Sequence, residues 1–183
     1  MSSSVVEASP RLYGLPPIAD DRSRVLILGS FPSEASLRAQ VYYAHPRNHF
    51  WPIMENLFGI DQLSSYPART ERLLESRVAV WDVIHSCRRR GSADQAIQEA
   101  EANGLIPWLD EHEDVLGVAF NGGKAEETAK RCLPELFRRR GVEFKRLPST
   151  SPANASATLA RKVEVWRQIK RWAESDAVED VRE

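Results

Sequence analysis

A short apolar run that ends at a glycine is the sequence feature that most restricts the fold. Residues 25–28 are all Val, Leu or Ile, and Gly29 follows them. A continuous apolar run that stops at a turn residue is typical of a strand buried on both faces of a parallel sheet. Runs of the same character occupy 78–84 and 115–120, and the alternating segment 142–147 predicts a fourth, more exposed strand.

Segments with helical periodicity lie between and after these strands. We predict helices over 50–58, 68–76, 104–112, 122–140 and 157–173. Pro134 should break the fourth of these, because proline cannot continue a helix. Strands that alternate with helices predict an α/β fold, with three α/β/α layers around a central, mainly parallel four-stranded sheet.

The distribution of charge divides the chain into three parts. Residues 174–183 contain five acidic residues and one Arg, whereas the rest of the chain has 24 basic and 21 acidic side chains. A net charge of −1 therefore conceals a mildly basic body, and a local basic face for nucleic acid is not excluded. We expect a flexible lead over 1–10, one domain over 11–173 and a disordered acidic tail over 174–183.

Composition and cysteine count exclude several classes of protein. No segment approaches the roughly 20 apolar residues that span a membrane, and the N-terminus lacks the pattern of a secretory signal. Cys87 and Cys132 are the two cysteines of the chain, too few for a disulfide framework or a four-cysteine metal site. We expect a cytoplasmic protein without metal or other cofactor.

Four polar loops follow the predicted strands. They start at Gly29, Asp82, Asn121 and Pro148, and they are rich in Gly, Ser, Pro and Asn. In open parallel sheets, ligands bind at the carboxyl ends of the strands. These loops offer backbone N–H groups and hydroxyls that suit a phosphate or a base edge, although they could equally be ordinary surface loops.

The segment 42–51 concentrates aromatic and polar side chains. It reads Tyr-Tyr-Ala-His-Pro-Arg-Asn-His-Phe-Trp. Aromatic rings can stack on a base, Arg can bind phosphate, and Asn can hold water or a base edge. A core role explains Trp51 and Phe50, but it explains Tyr42, Tyr43 and Asn48 less well.

These motifs resemble the uracil-DNA glycosylase superfamily, and within it the hypoxanthine-DNA (deoxyinosine) glycosylase branch. The matching segments begin with Gly-Ser-Phe-Pro-Ser at 29–33 and His-Pro-Arg-Asn-His-Phe-Trp at 45–51. Trp-Asp-Val-Ile at 81–84, Phe-Asn-Gly at 120–122 and Ser-Pro-Ala-Asn at 151–154 follow in the same order. The resemblance implies an enzyme that flips a deaminated base out of DNA and cleaves its N-glycosidic bond.

The first motif departs from most of the superfamily at its third residue. The residue that positions water there is Asn or Asp, whereas this chain has Phe31, which can stack on a base but cannot hold water. The resemblance moves the catalytic role to Asn48. A neutral Asn can orient water when C–N cleavage is largely dissociative. We therefore expect a monofunctional hydrolase that leaves an abasic site.

The resemblance, together with the chemistry of the residue types, suggests the remaining site residues. Base binding is assigned to Gly29, Ser30, Phe31, Ser33, Tyr43, His45 and Asp82, and DNA binding to Arg47, Ser149, Ser151 and Asn154. His45 could donate a hydrogen bond to the leaving purine, or it could be a residue at the start of a helix with a backbone partner. Asp82 could accept from a base N–H, or it could cap the loop at the end of its strand. The charge run 88–90 is more typical of a solvated turn than of a phosphate contact.

Two alternatives to a hypoxanthine glycosylase follow from the same residues. One is a glycosylase for uracil or mismatched bases, against which Phe31 counts. The other is a non-catalytic DNA- or nucleotide-binding module on the same scaffold. We expect a monomer whose partner is DNA with deaminated bases and not a membrane.

Overall fold

The computed structural model describes residues 9–175. Predictions for 1–8 and 176–183, which belong to the N-terminal lead and the acidic tail, lie outside the described residues. The strands are β1 (Arg11–Tyr13), β2 (Val25–Gly29), β3 (Val78–Asp82), β4 (Ile84–Arg88), β5 (Gln98–Ala102), β6 (Gly117–Asn121) and β7 (Glu143–Leu147). The α-helices are α1 (Glu34–Ala39), α2 (Phe50–Phe58), α3 (Tyr66–Glu75), α4 (Leu105–Glu111), α5 (Gly123–Cys132) and α6 (Leu159–Glu174).

The larger sheet has four parallel strands in the order β3-β2-β6-β7. Alternate residues of β2 supply two cores, because successive side chains of a strand point to opposite faces. Val25 and Ile27 pack in one core with residues of α2, α3 and α6. Leu26 and Leu28 pack in another with residues of α4 and α5. The predicted α/β class and its three layers are confirmed.

The run 78–84 was expected to be one strand, and that prediction is wrong. β3 ends at Asp82, and the next residues start β4 in a second sheet, which is antiparallel in the order β1-β4-β5. The backbone N–H groups of Val83 and Ile84 donate to the carbonyls of Gly29 and Ser30, so the chain crosses the end of β2 at this point. This sheet escaped prediction because β1 has three residues and β5 reads Gln-Glu-Ala-Glu-Ala.

Helix boundaries follow local chemistry. The predicted helix 122–140 is α5 followed by a 3₁₀ turn over Pro134–Arg138, which confirms the break at Pro134. The short helix α1 was not predicted, and the Ser33 hydroxyl caps it by accepting from the backbone N–H of Ser36. Glu174, placed by sequence in the acidic tail, forms the last residue of α6.

Candidate active site

A cavity of about 430 Å³ lies where the four parallel strands end. Its volume is in the range of small-molecule sites. Two of the site residues expected from the sequence, Arg47 and Asn154, lie outside its lining. The other ten line it: Gly29, Ser30, Phe31, Ser33, Tyr43, His45, Asn48, Asp82, Ser149 and Ser151. Parallel pairing explains this convergence, because the loops that leave β2, β3, β6 and β7 emerge at the same edge of the sheet.

Gly29 and Asp82 form the innermost wall of this cavity. The two residues are register partners at the ends of β2 and β3. A Cβ atom added to Gly29 would lie 2.4 Å from Asp82 Oδ1 and 3.5 Å from the Tyr43 hydroxyl. Glycine is therefore required here by a close approach, which leaves room for the carboxyl group beside the strand end.

The Asp82 carboxyl is buried, and one of its oxygens has no hydrogen-bond partner in the described part of the chain. The residue is 4% exposed, and its Oδ2 has no hydrogen-bond partner among residues 9–175. Burial, aided by the negative charge of Asp94, raises the pKa of Asp82 to about 7, while Arg89 acts in the opposite direction. Near neutral pH this group is therefore divided between the acid and the carboxylate.

Arg89 contacts the loop that follows β2. The residue is 4% exposed, its Nη2 donates to the Pro32 carbonyl at 2.5 Å, and its guanidinium lies 5.0 Å from the centre of the Phe31 ring. The expected solvated turn at 88–90 is therefore wrong for Arg89. Arg89 directly follows β4, in which Cys87, two residues earlier, is also buried.

Asn48 lies in the turn before α2, and its amide is held in place. The side-chain Oδ1 accepts the backbone N–H of Phe50 at 2.9 Å, and the backbone N–H of Asn48 donates to the His45 carbonyl at 2.9 Å. No hydrogen bond from the Asn48 NH₂ group is present within the described chain. The amide thus keeps two donors and one acceptor position for water or substrate beside the cavity.

His45 has a backbone partner that defines its free nitrogen. Its Nδ1 accepts the Arg47 backbone N–H at 3.1 Å, so the neutral ring carries its proton on Nε2. The two interpretations of His45 are therefore compatible. The backbone contact that a turn histidine needs leaves an N–H available to a bound base.

Tyr43 has an unusual backbone beside the cavity. Its φ is +56°, in the left-handed region, and its ring stacks on Phe50 with centroids 4.1 Å apart. Its hydroxyl is buried near Asn121 without a well-formed hydrogen bond, and burial raises the pKa of this phenol. Strained backbone at such a position is typical of functional sites.

The loop after β7 is held together by short-range hydrogen bonds. The Ser149 and Ser151 hydroxyls accept the backbone N–H groups of Ser151 and Ala153. Asn154 lies outside the cavity lining, and its Nδ2 donates to the Ser149 carbonyl at 3.1 Å. Both serine hydroxyls therefore keep a hydrogen to donate to an oxyanion.

Sequence reasoning missed several residues that shape this site. Asp94 and Asn121 line the cavity, and the Asn121 amide is paired with the side chain and backbone N–H of the buried Thr150. The Thr150 carbonyl accepts the His49 N–H, which joins the Asn48 turn to the loop after β7. Asn121 belongs to the Phe-Asn-Gly motif at 120–122, whereas no pattern marked Thr150.

Lys162 is a further buried polar residue that the sequence did not reveal. Its residue exposure is 0%, and its Nζ donates to the Asn154 carbonyl at 3.1 Å. Burial lowers the pKa of this ammonium group. Lys162 falls in the helical pattern of α6 as an ordinary solvated position, so only packing could reveal it.

Neither a metal cluster nor a membrane helix is present within residues 9–175. No group of three or more His, Cys, Asp or Glu side chains there is arranged to hold a metal ion. No helix in the same range has the length and apolar character needed to cross a membrane.

Comparison with known proteins places the chain in a family. The family described as the uracil DNA glycosylase superfamily matches residues 16–172. A hypoxanthine DNA glycosylase of Methanosarcina barkeri (strain Fusaro) is 35% identical over 150 residues, which cover 81% of this chain and 92% of that protein. The hypoxanthine DNA glycosylase of Methanosarcina acetivorans is 35% identical over 159 residues, covering 86% and 97%.

A solved structure has the same fold. The solution NMR structure of a candidate uracil DNA glycosylase from Methanosarcina acetivorans superimposes with a TM-score of 0.76 at 34% identity. It covers 91% of this chain and 100% of the solved one. Because the family match spans nearly all of the described fold and the cavity at its strand ends, the chain belongs to the uracil DNA glycosylase superfamily.

Proposed function

We propose that this protein is a monofunctional DNA glycosylase that hydrolyses the N-glycosidic bond of a deaminated base, hypoxanthine first, and leaves an abasic site. The observation that carries the proposal is the Asn48 amide, fixed at the mouth of a base-sized cavity with two donors unused. The M. barkeri and M. acetivorans relatives named hypoxanthine DNA glycosylases support the choice of base.

The base must leave the stack before these residues can reach it. The flipped base enters the cavity and stacks on Phe31, whose ring is held by the Arg89 guanidinium. Backbone and hydroxyl groups of Gly29, Ser30 and Ser33 face the base, together with Tyr43, the His45 Nε2–H and Asp82. The backbone, hydroxyl and imidazole donors among them stabilise the negative charge that develops on a departing base.

Asn48 then orients the attacking water. In a dissociative reaction the C1′–N bond is largely broken before water arrives, so orientation matters more than proton abstraction. The capping contact with Phe50 prevents the amide from rotating freely. Its remaining lone pair and its NH₂ group can hold water at C1′ without a charged base.

The loop after β7 binds the DNA backbone in this proposal. Ser149 and Ser151 have hydroxyl hydrogens to donate, and the exposed Arg47 lies next to Asn48 in sequence. Asn154 contributes by bracing the loop through Ser149. Such contacts position the duplex without reading its sequence. We further propose that the protein acts as a monomer.

Oligonucleotides that contain a single deoxyinosine, deoxyxanthosine or deoxyuridine test the activity. Alkali converts each abasic product into a strand break, and deoxyinosine should give the most product. Absence of breaks with every lesion would contradict the proposed activity and favour a binding module. Preferential cleavage at deoxyuridine would identify a uracil glycosylase instead.

Two substitutions at Asn48 test its role. Asn48→Ala should lower single-turnover cleavage at least about 10²-fold, the usual contribution of positioned groups, with binding to lesion DNA retained. Asn48→Ser keeps a side-chain acceptor for the Phe50 N–H but lacks the amide, so it should be as inactive while preserving stability. Asn56→Ala, on the exposed face of α2, is the matched control. Base release by both Asn48 variants at the parental rate would refute the assignment.

A further inference from the structure

The surroundings of the Asp82 carboxyl in the cavity wall disfavour its charged form. Its Oδ1 lies against the Gly29 backbone, and its Oδ2 has no hydrogen-bond partner within the described chain. The residue forms no ion pair with any group in residues 9–175. Loss of hydration disfavours the charge of a buried carboxylate that has no ion pair, so proton uptake relieves an unfavourable charge.

Ionisable groups face Asp82 from three elements. Asp94 comes from the 3₁₀ turn before β5, Arg89 directly follows β4, and Tyr42 and Tyr43 lie in the segment before α2. Asp94 favours the protonated acid, and Arg89 favours the carboxylate. The two tyrosines stay neutral at physiological pH, because burial raises the pKa of each.

We propose that Asp82 is the acid of the reaction, donating its proton to an acceptor on the purine as the glycosidic bond breaks. The inference rests on the proposed function and assigns a proton transfer to a residue that the sequence suggested only as an acceptor. The Asp82 carboxyl, which lines the cavity and whose Oδ2 has no hydrogen-bond partner within residues 9–175, is the donor group. A carboxylic acid kept neutral by an apolar site is an established device for hydrogen-bond donation.

The step conserves atoms and charge. The C1′–N9 bond breaks with its electron pair moving to the base, and the Asp82 proton passes to a ring nitrogen or the exocyclic oxygen. Neutral hypoxanthine leaves, and Asp82 becomes a carboxylate. Water oriented by Asn48 adds its oxygen to C1′, and the proton it loses returns Asp82 to the acid form. The sum is hydrolysis, with no other reactant.

The pH dependence follows from the protonated form being the active one. With a pKa of about 7, the acid fraction of Asp82 falls as pH rises through neutrality. The single-turnover rate on deoxyinosine DNA should therefore decline towards tenfold per pH unit at alkaline pH. Single-turnover conditions exclude product release from the measurement.

Asp82→Asn removes the proton donor while preserving size. At pH 6 its rate should be about 10²-fold lower than the parent, the scale of general acid catalysis, and it should not change between pH 6 and 9. Binding to an oligonucleotide with slowly cleaved 2′-fluoro-deoxyinosine verifies that the variant is folded. Glu113→Gln, an exposed carboxyl-to-amide change, is the matched control.

Substitutions of Asp94 and Arg89 should shift the alkaline decline in rate in opposite directions while Asp82 itself is kept. Asp94→Asn removes a charge that raises the pKa of Asp82, so the alkaline decline should move to lower pH. Arg89→Met removes a charge that lowers it, so the decline should move to higher pH. The acid role would be overturned if the parental enzyme cleaved deoxyinosine DNA and the alkaline decline in rate stayed at the same pH in Asp82→Asn and Asp94→Asn. That result would leave the glycosylase proposal intact. An inactive parent would instead contradict the proposed function.

Discussion

An acidic and a basic side chain are buried on two sides of the site, Asp82 in the cavity wall and Lys162 beneath the loop after β7. On the side of the strand ends, Asp82 is 4% exposed. On the side of the loop after β7, Lys162 is 0% exposed and donates to the Asn154 carbonyl. Neither forms an ion pair within residues 9–175. In the proposed complex the base offers acceptors to Asp82, and the phosphate lies on the loop that Lys162 supports.

The two sides also differ in what supports them. Strand pairing holds the acidic side, where Gly29 and Asp82 are register partners. Side-chain hydrogen bonds hold the cationic side, where Ser149, Ser151 and Asn154 each bond to the backbone of their own loop. We therefore expect substitutions on the acidic side to change the chemical step, and those on the cationic side to change DNA affinity.

The largest effect is expected for Gly29→Ala. The new Cβ would meet Asp82 Oδ1 at 2.4 Å, so the carboxyl or the strand end must move. Misplacement of a catalytic group by about 1 Å can lower a rate about 10²-fold. Single-turnover cleavage of deoxyinosine DNA measures this loss. Gly104→Ala is the control, because its Cβ would meet only Pro107 at 3.4 Å, and equal activity of the two variants would contradict the prediction.

An intermediate effect is expected for Lys162→Met, which removes the buried cation and keeps the stem. Loss of a charged hydrogen bond beneath the loop should weaken DNA binding about tenfold, equally for lesion and undamaged duplexes. The rate constant of the bound complex should stay at the parental value. Fluorescence anisotropy and single-turnover kinetics separate the two quantities, and Lys130→Met, at an exposed site on α5, serves as control. If Lys162→Met lowered the single-turnover rate constant without weakening DNA binding, the two sides would not have the separate roles expected here.

The smallest effect is expected for Arg47→Gln. Arg47 is exposed beside the Asn48 turn, so it should add one phosphate contact and no base contact. The slope of log affinity against log salt concentration is negative, and its magnitude should decrease by about 1. Anisotropy titrations at several salt concentrations measure this slope. Arg22→Gln, paired with Asp20 before β2, should leave it unchanged, and an unaltered slope in Arg47→Gln would exclude the phosphate contact.

Prediction from sequence succeeded where the signal was local. The apolar run before Gly29 marked a buried parallel strand, and Pro134 marked the end of α5. The second sheet was missed because its stability depends on cross-strand partners and not on apolar composition. Arg89 was assigned to solvent for the same reason, since a charge run has no sign of burial in the sequence.

The residue types at the strand ends, and the motif that carries Asn48, were determined by the sequence alone. Local rules suffice there, because a strand that stops at Gly29 must present its next loop at the carboxyl edge of a parallel sheet. Only the tertiary structure decided which charges are buried. Asp82, Arg89 and Lys162 have solvent exposures set by packing between elements far apart in the chain, and burial in turn sets the protonation of Asp82.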